Sequence, residues 1–203
     1  MEILKISQNS LDYPPLLKRL LDKHAPDSFD AFGNFATLQT KTLALFCSQK
    51  CPGNLILQTY DLAQNLRQAG ITVIGGFHSP MEREVLNILL RGAQPIIICL
   101  ARNISAKIGR DYSPLLKENR ALILSPFDRK NPRITAETSV VRNRFVAALA
   151  THIFVAYAEP RGKMEQFCRD VLVWGKPLYT FADDANEQLV ALGAKAVPAN
   201  WVP

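Results

Sequence analysis

The stretch SVVRNRFVAALATHIFVAYAEPRG (139–162) places Arg142, Asn143 and Arg144 just before an apolar helical pattern. Arginine's planar fork grips phosphate oxygens two at a time, and asparagine bonds to backbone or to a base edge. Two guanidiniums at the start of a helix therefore make a candidate anion site. The plain alternative is a solvated helix start whose surface ion pair contributes at most about 1 kcal/mol. Further along, Arg161, Gly162 and Lys163 open the next helical pattern. Unpaired N–H groups and the positive end of the helix dipole make such a start a second candidate.

Three more loops carry unusual composition. CSQKCPGN (47–54) puts Ser48, Gln49, Lys50 and Gly53 between a β-rich run and a helical pattern, as a phosphate cradle would. It matches neither a G-x-G-x-x-G nor a P-loop, so an ordinary strand-to-helix turn is the competing reading. GGFHSP (75–80) offers Gly75 and Gly76 for close backbone approach and His78 at the sheet edge. His78 has no evident carboxylate or nucleophile partner, which favours a structural or solvated role. Arg129, Lys130 and Arg133 occupy a loop with Pro126 and Pro132. No Ser-His-Asp order, nucleophile elbow or acid/base pair stands out, so these loops read as binding rather than catalysis.

The elements that must position these loops alternate along the chain. Strand-like runs at 42–48, 71–76, 95–101, 121–125, 152–158 and 177–181 are apolar nearly throughout. Helical patterns follow them at 55–70, 80–92, 113–120, 144–150, 163–175 and 186–193. Continuous apolar strands separated by helices predict a parallel sheet covered on both faces. Right-handed crossovers then give an α/β, doubly wound, mostly parallel sheet of Rossmann-like type. Residues 1–40 have a different pattern and predict a short helical N-terminal extension on a domain spanning 41–203. Ligands of such sheets bind at the C-terminal ends of the strands, where all the loops named above should open.

Composition narrows the partners. Ten lysines and arginines against four acids lie between Arg102 and Arg144, so that stretch carries the whole +6 and the remainder is neutral. A basic segment in a balanced chain points to an anionic partner, nucleic acid first, against the alternative of a solvated rim. Phe77 and Phe127 are the aromatic residues near enough to stack on bases. The four cysteines form no disulfide framework, and Cys47 and Cys51 lack the further ligands a zinc site needs. No metal or cofactor is expected. The N-terminus MEILKISQNS lacks a signal-peptide pattern and no apolar run approaches a bilayer span, which predicts a cytoplasmic protein without a membrane partner.

These residues resemble the DNA-processing protein A (DprA/Smf) family. DYPPLLKRLLD (12–22) is similar to that family's opening Tyr-Pro helix, and FGN (32–34) to its Gly-Asn before the first main strand. LILS (122–125), RNRFVAALA (142–150), IFVAYA (153–158) and GKPLYTF (175–181) continue the likeness in order, RNR being its most specific element. The family's Gly-Ser-Arg loop reads Cys47-Ser48-Gln49 here, with Lys50 in place to substitute for the arginine. The resemblance implies single-stranded DNA binding, a homodimer, and delivery of DNA to a RecA-type recombinase during uptake of foreign DNA. In departure from many members, no winged-helix extension is expected in this short relative. Phosphate contacts would fall to Ser48 and its loop, Gly75, Gly76, Arg142, Asn143 and Arg144. The alternative is a small-nucleotide sensor or a phosphoribohydrolase-like enzyme of the same fold group, with Glu165 as its carboxylate.

Overall fold

A computed structural model describes residues 2–128 and 130–203. One sheet runs through it in the order β1-β2-β6-β5-β4-β3-β7-β8-β9. Its strands are β1 (Leu4–Ser7), β2 (Ser28–Gly33), β3 (Thr42–Phe46), β4 (Thr72–Gly75), β5 (Ile96–Cys99), β6 (Ala121–Ser125), β7 (His152–Val155), β8 (Leu178–Phe181) and β9 (Lys195–Val197). From β6 to β9 every neighbouring pair is parallel, while β1 and β2 join antiparallel at one edge. The chain winds outward from β3 through β4, β5 and β6, then returns to the other side of β3 as β7. The topological switch point therefore lies between β3 and β7.

The apolar runs are strands because alternate side chains feed two cores. Ala44 and Phe46 of β3, Ile97 and Cys99 of β5, and Ile153 and Val155 of β7 enter one core. Leu43, Leu45, Ile96, Ile98 and Phe154 enter the other. Helices α1 (Pro15–Leu21), α6 (Ala136–Leu149), α7 (Lys163–Val173) and α8 (Glu187–Ala191) cover the first face. Helices α2 (Gly53–Gln68) and α3 (Pro80–Leu89) cover the second, and α4 (Ala106–Asp111) and α5 (Ser113–Lys117) complete it over β6. Among the described residues no helix is long and apolar enough to cross a membrane.

Three differences from the sequence reading matter. The first forty residues contribute two strands as well as helix α1, and they share the main core. Tyr13 packs on Phe29 and Phe29 on Phe145 of α6, with ring centroids 5.7 and 5.4 Å apart. Gly33 (φ 115°) closes β2, where a Cβ would sit 2.2 Å from the Ala121 carbonyl oxygen; only glycine fits, which accounts for FGN. Next, the helix expected at 144–150 begins eight residues earlier, at Ala136. Thr135 caps it reciprocally with Thr138. Lastly, a ninth strand, β9, follows α8 where only a tail was expected.

Candidate nucleic-acid interface

The parallel strands all end on one edge, and their loops are tied together there by buried polar groups. Ser48 joins the two sides of the switch point: its N–H donates to the Tyr157 carbonyl (2.9 Å), and its Oγ accepts from the Glu159 N–H (2.9 Å). Ser48 is thus buried and committed largely to the loops themselves, whereas Gln49 and Lys50 beyond it are exposed.

Glu82 ties the next pair. It is 5% exposed, and its carboxylate accepts from the Cys47 N–H (3.1 Å) and the His78 N–H (2.8 Å). It stands at the third position of α3, after the Ser79 cap whose Oγ accepts the Glu82 N–H at 3.3 Å. The sequence reading missed Glu82. Its signal is S-P-M-E, the Ser-x-x-Glu of a capping box, but here the carboxylate reaches across to two loops instead of back to its own cap. His78 itself projects outward, and its carbonyl accepts two bonds from Arg83.

Arg142 completes the frame. Only 4% exposed, it donates through Nη1 to the Cys99 carbonyl at the end of β5 (3.3 Å) and through Nε to Asn143 Oδ1 (2.7 Å). Its guanidinium lies against Gly76. Burial works against the charge of Arg142, and the nearby Glu82 carboxylate works for it. Arg142 is therefore chiefly a pin beneath the loops after β4 and β5. The expectation of a helix start fails here, because Arg142, Asn143 and Arg144 lie in the middle of α6. Arg144 is turned away from the crevice and pairs with Asp170 of α7 at 2.5 Å.

The two helix starts proposed as anion sites differ sharply. At α7, Glu165 occupies the position of a bound anion: it accepts from the Arg161 N–H (2.9 Å) and from Arg169 (2.7 Å). The Arg161 N–H and then Arg169 hold its carboxyl below the usual carboxylate range. Glu165 is thereby spent on structure, which removes the carboxylate that the hydrolase alternative needs. Gly162 caps the helix, its N–H bonded to the Glu159 carbonyl at 2.9 Å, while Arg161 (φ 61°) and Lys163 remain exposed. At α2 the cap is Pro52, no side-chain cap bonds to its N–H groups and its first turn holds no acid, while Asp183 accepts from the side chains of Asn54 (2.8 Å) and Gln58 (3.0 Å). A Cβ on Gly53 would meet nothing within 4 Å. The backbone N–H groups of this start, next to Lys50 in sequence, have no side-chain cap.

The other expected residues fall as follows. Gly75 is buried at the end of β4. Lys130 is exposed, its N–H bonded to Asp128 (2.9 Å), and Arg129 lies outside the described residues. Phe77 (φ 48°) is 6% exposed in the second core and is withdrawn from base stacking; Phe127 is half-buried. The cations between Arg102 and Arg144 divide between the two edges, since Lys117 and Arg120 precede β6 and Arg120 pairs with Glu118 (2.9 Å).

Against known proteins, the sequence profile of the family described as DNA recombination-mediator protein A matches residues 5–200. The chain belongs to that family. No curated protein sequence matches it significantly. Among solved structures it is similar to DNA processing protein A (DprA) from Streptococcus pneumoniae, with a TM-score of 0.81 and 19% identity over 98% of this chain and 72% of that one. DNA processing protein A from Helicobacter pylori, whose single-stranded DNA binding mode has been characterised structurally, gives a TM-score of 0.75 and 17% identity over 97% and 91%. The molybdenum cofactor carrier protein of Chlamydomonas reinhardtii shares the fold more loosely, with a TM-score of 0.52 and 13% identity over 79% and 92%. The resemblance drawn from RNRFVAALA and its companions thus holds at the level of family, and the Rossmann-like α/β fold holds with it. As a member of the DNA recombination-mediator protein A family, the chain has a DNA-processing role, and the nucleotide-hydrolase alternative is not favoured.

Proposed function

We propose that the C-terminal edge of the sheet holds a single DNA strand by its phosphates, centred on the loop 47–53. The observation that carries this reading is the contrast between helix starts. Ser79 caps the start of α3 and Glu165 folds back over that of α7, while the N–H groups that begin α2 have no side-chain cap, the nearby Asp183 being taken up by the side chains of Asn54 and Gln58. Lys50, Gln49 and Gly53 would meet the phosphate, with Arg161, Lys163, His78 and Lys130 as an exposed rim. Ser48, Gly76, Arg142 and Asn143 hold the loops in place. Phosphate contacts of this kind carry no base information, so sequence preference should be weak.

The test is fluorescence anisotropy of a labelled single-stranded oligonucleotide at several salt concentrations. Binding should weaken with a log–log slope of about −2 to −3, the value for three or four neutralised phosphates. Lys50→Ala should weaken binding to unrelated sequences alike. An affinity indifferent to salt, or to loss of Lys50, would sink the reading. Family membership extends the proposal to delivery of the strand to a RecA-type recombinase and to a homodimer. For the dimer there is a supporting surface: Val140 and Val141 of α6 and Val173 of α7 are exposed around a groove lined by Leu21 and His24. Sedimentation equilibrium with and without Val141→Glu tests it.

A further inference from the structure

The basic stretch of the chain is only partly used by the loop 47–53 and its rim. Beyond Lys130, Lys107 and Arg110 of α4 and Arg133 of the loop after β6 are exposed, and half-buried Arg102 stands in the loop after β5. Among the described residues none of these cations is in an ion pair. The acids between them do little to offset them. Glu118 pairs with Arg120 at the opposite edge (2.9 Å). Asp128 is turned onto its own loop, where Oδ1 accepts from the Lys130 N–H (2.9 Å) and from Asn131 Nδ2 (3.1 Å). Like charges left this close together repel, and an anionic partner offsets that cost.

These cations stand on a fixed ledge. Ser125, fully buried at the end of β6, donates its hydroxyl to the Arg102 carbonyl (2.7 Å) and accepts the Phe127 N–H (3.1 Å). The Asn103 N–H bonds to the Asn131 carbonyl at 3.0 Å. The loops after β5 and β6 are thereby fastened side by side. Ile104 and Ile108 are buried with Ala121 and Ile123, which anchors α4 against β6. Lys107 and Arg110, three apart on that helix, emerge together on its exposed side. Phe127 lies in the same ledge, half-buried, whereas Phe77 is in the core.

We propose that this ledge takes a second segment of the strand held at the loop 47–53, with Lys107, Arg110 and Arg133 on its phosphates and Phe127 stacked on one of its bases. The inference rests on the reading of that edge as a single-strand interface; it adds the direction in which the strand leaves the loop and an aromatic contact. β6 lies three strands from β3, so the gap is about 14 Å. Phosphates along a strand are at least about 3.4 Å apart, so the crossing takes no more than about four nucleotides. Cations interleaved with an aromatic ring suit a single strand, whose bases are free to stack. A duplex keeps its bases inside its own stack and offers Phe127 nothing.

The experiment is anisotropy with labelled oligothymidylates of about 4 and about 16 nucleotides, the range of single-strand site sizes. The proteins are the wild type, Lys107→Ala/Arg110→Ala/Arg133→Ala, Phe127→Leu and Lys50→Ala, each checked for folding by a thermal melt. In the wild type the salt slope of the long strand should be steeper than that of the short one by about 2, three further phosphates at about 0.7 each. The triple variant should lose that difference and bind the long strand about tenfold more weakly, with the short strand unchanged. Phe127→Leu should weaken the long strand about tenfold and leave binding of inorganic polyphosphate, which has no bases, as it was. A triple variant that holds the long strand like the wild type would overturn the ledge. A duplex bound as tightly as the long strand would overturn the single strand as its occupant, and equal losses for polyphosphate in Phe127→Leu would overturn the stacking. If Lys50→Ala changed neither length while the triple variant lost the long strand, the loop-centred reading would fail and the ledge would stand. No binding at either length would overturn both.

Discussion

The guanidinium of Arg142 occupies the space that a side chain on Gly76 would take: a Cβ there would lie 1.6 Å from Nη1. The end of β4 is thus shaped around a side chain from α6, and each residue makes sense only with the other. Gly76→Ala should expel Arg142 and break its bond to the Cys99 carbonyl, with a loss of about 2–3 kcal/mol. The telling measurement is a double-mutant cycle in urea. In an Arg142→Ala background the space is empty, so Gly76→Ala should add little, and the two changes should couple by about 1 kcal/mol or more. Additive losses would mean that Gly76 is needed for some reason other than Arg142.

Glu82 is the second such keystone. It neutralises two loop N–H groups, at Cys47 and His78, with one carboxylate. Glu82→Gln keeps the volume but replaces one acceptor with an NH₂ that faces a donor. Leaving a buried donor unsatisfied costs about 1–3 kcal/mol. Amide hydrogen exchange localises the effect. The Cys47 and His78 amides should exchange faster in the variant, while amides in the middle of β5 keep their protection.

How much of this was written in the sequence depends on periodicity. The strands β3 to β8 are uninterrupted apolar runs, because both faces are covered, and that pattern cannot be mistaken for a surface helix. β1 and β2 were hidden: an edge pair is half solvated, and Leu4-Lys5-Ile6-Ser7 looks like loop until its partner is known. The first half of α6 was hidden for a related reason. Val140 and Val141 are exposed and break the amphipathic pattern, and its cap, Thr135 with Thr138, is not the usual Ser-x-x-Glu. That miss carried into the site. Residues two apart on a helix point about 200° apart, so Arg142 and Arg144 cannot both face one crevice once α6 begins at Ala136. Glu82 was hidden because its sequence signal is that of an ordinary cap.

Arg144 should therefore behave unlike Lys50. Its pairing with Asp170 is partly exposed, with side-chain exposures of 37% and 28%, and the pair lies on the helical face rather than the strand edge. Arg144→Ala should cost at most about 1 kcal/mol and leave oligonucleotide affinity and its salt slope where they were. Lys50→Ala should leave stability unchanged and make the slope shallower by about 0.7, one phosphate on a single strand. Anisotropy and denaturant melts on the two variants separate the roles. A large loss of affinity in Arg144→Ala would return that residue to the interface.

Lys176 gives a pH dependence of opposite sign to that of most buried ion pairs. Its ammonium donates to the carbonyls of Ala147, Ala148 and Ala150, closing the C-terminal end of α6. Those acceptors and the negative helix end favour its charge. Burial, helped by the positive charge of Arg19, outweighs them and brings it down to about 8. An unfolded lysine titrates near 10.4. Between these two values the unfolded chain binds a proton that the folded chain has released, so raising the pH through that window stabilises the fold. Below about 8 both states are protonated and the full cost of burying the charge is felt. Lys176→Met removes the titrating group but orphans the three carbonyls, a loss of about 2 kcal/mol at neutral pH. Urea melts of both proteins at intervals from pH 7 to 10 provide the check. The stability of the wild type relative to Lys176→Met should grow as the pH rises above about 8. A flat difference would show that the three carbonyls hold the ammonium at its ordinary affinity for the proton.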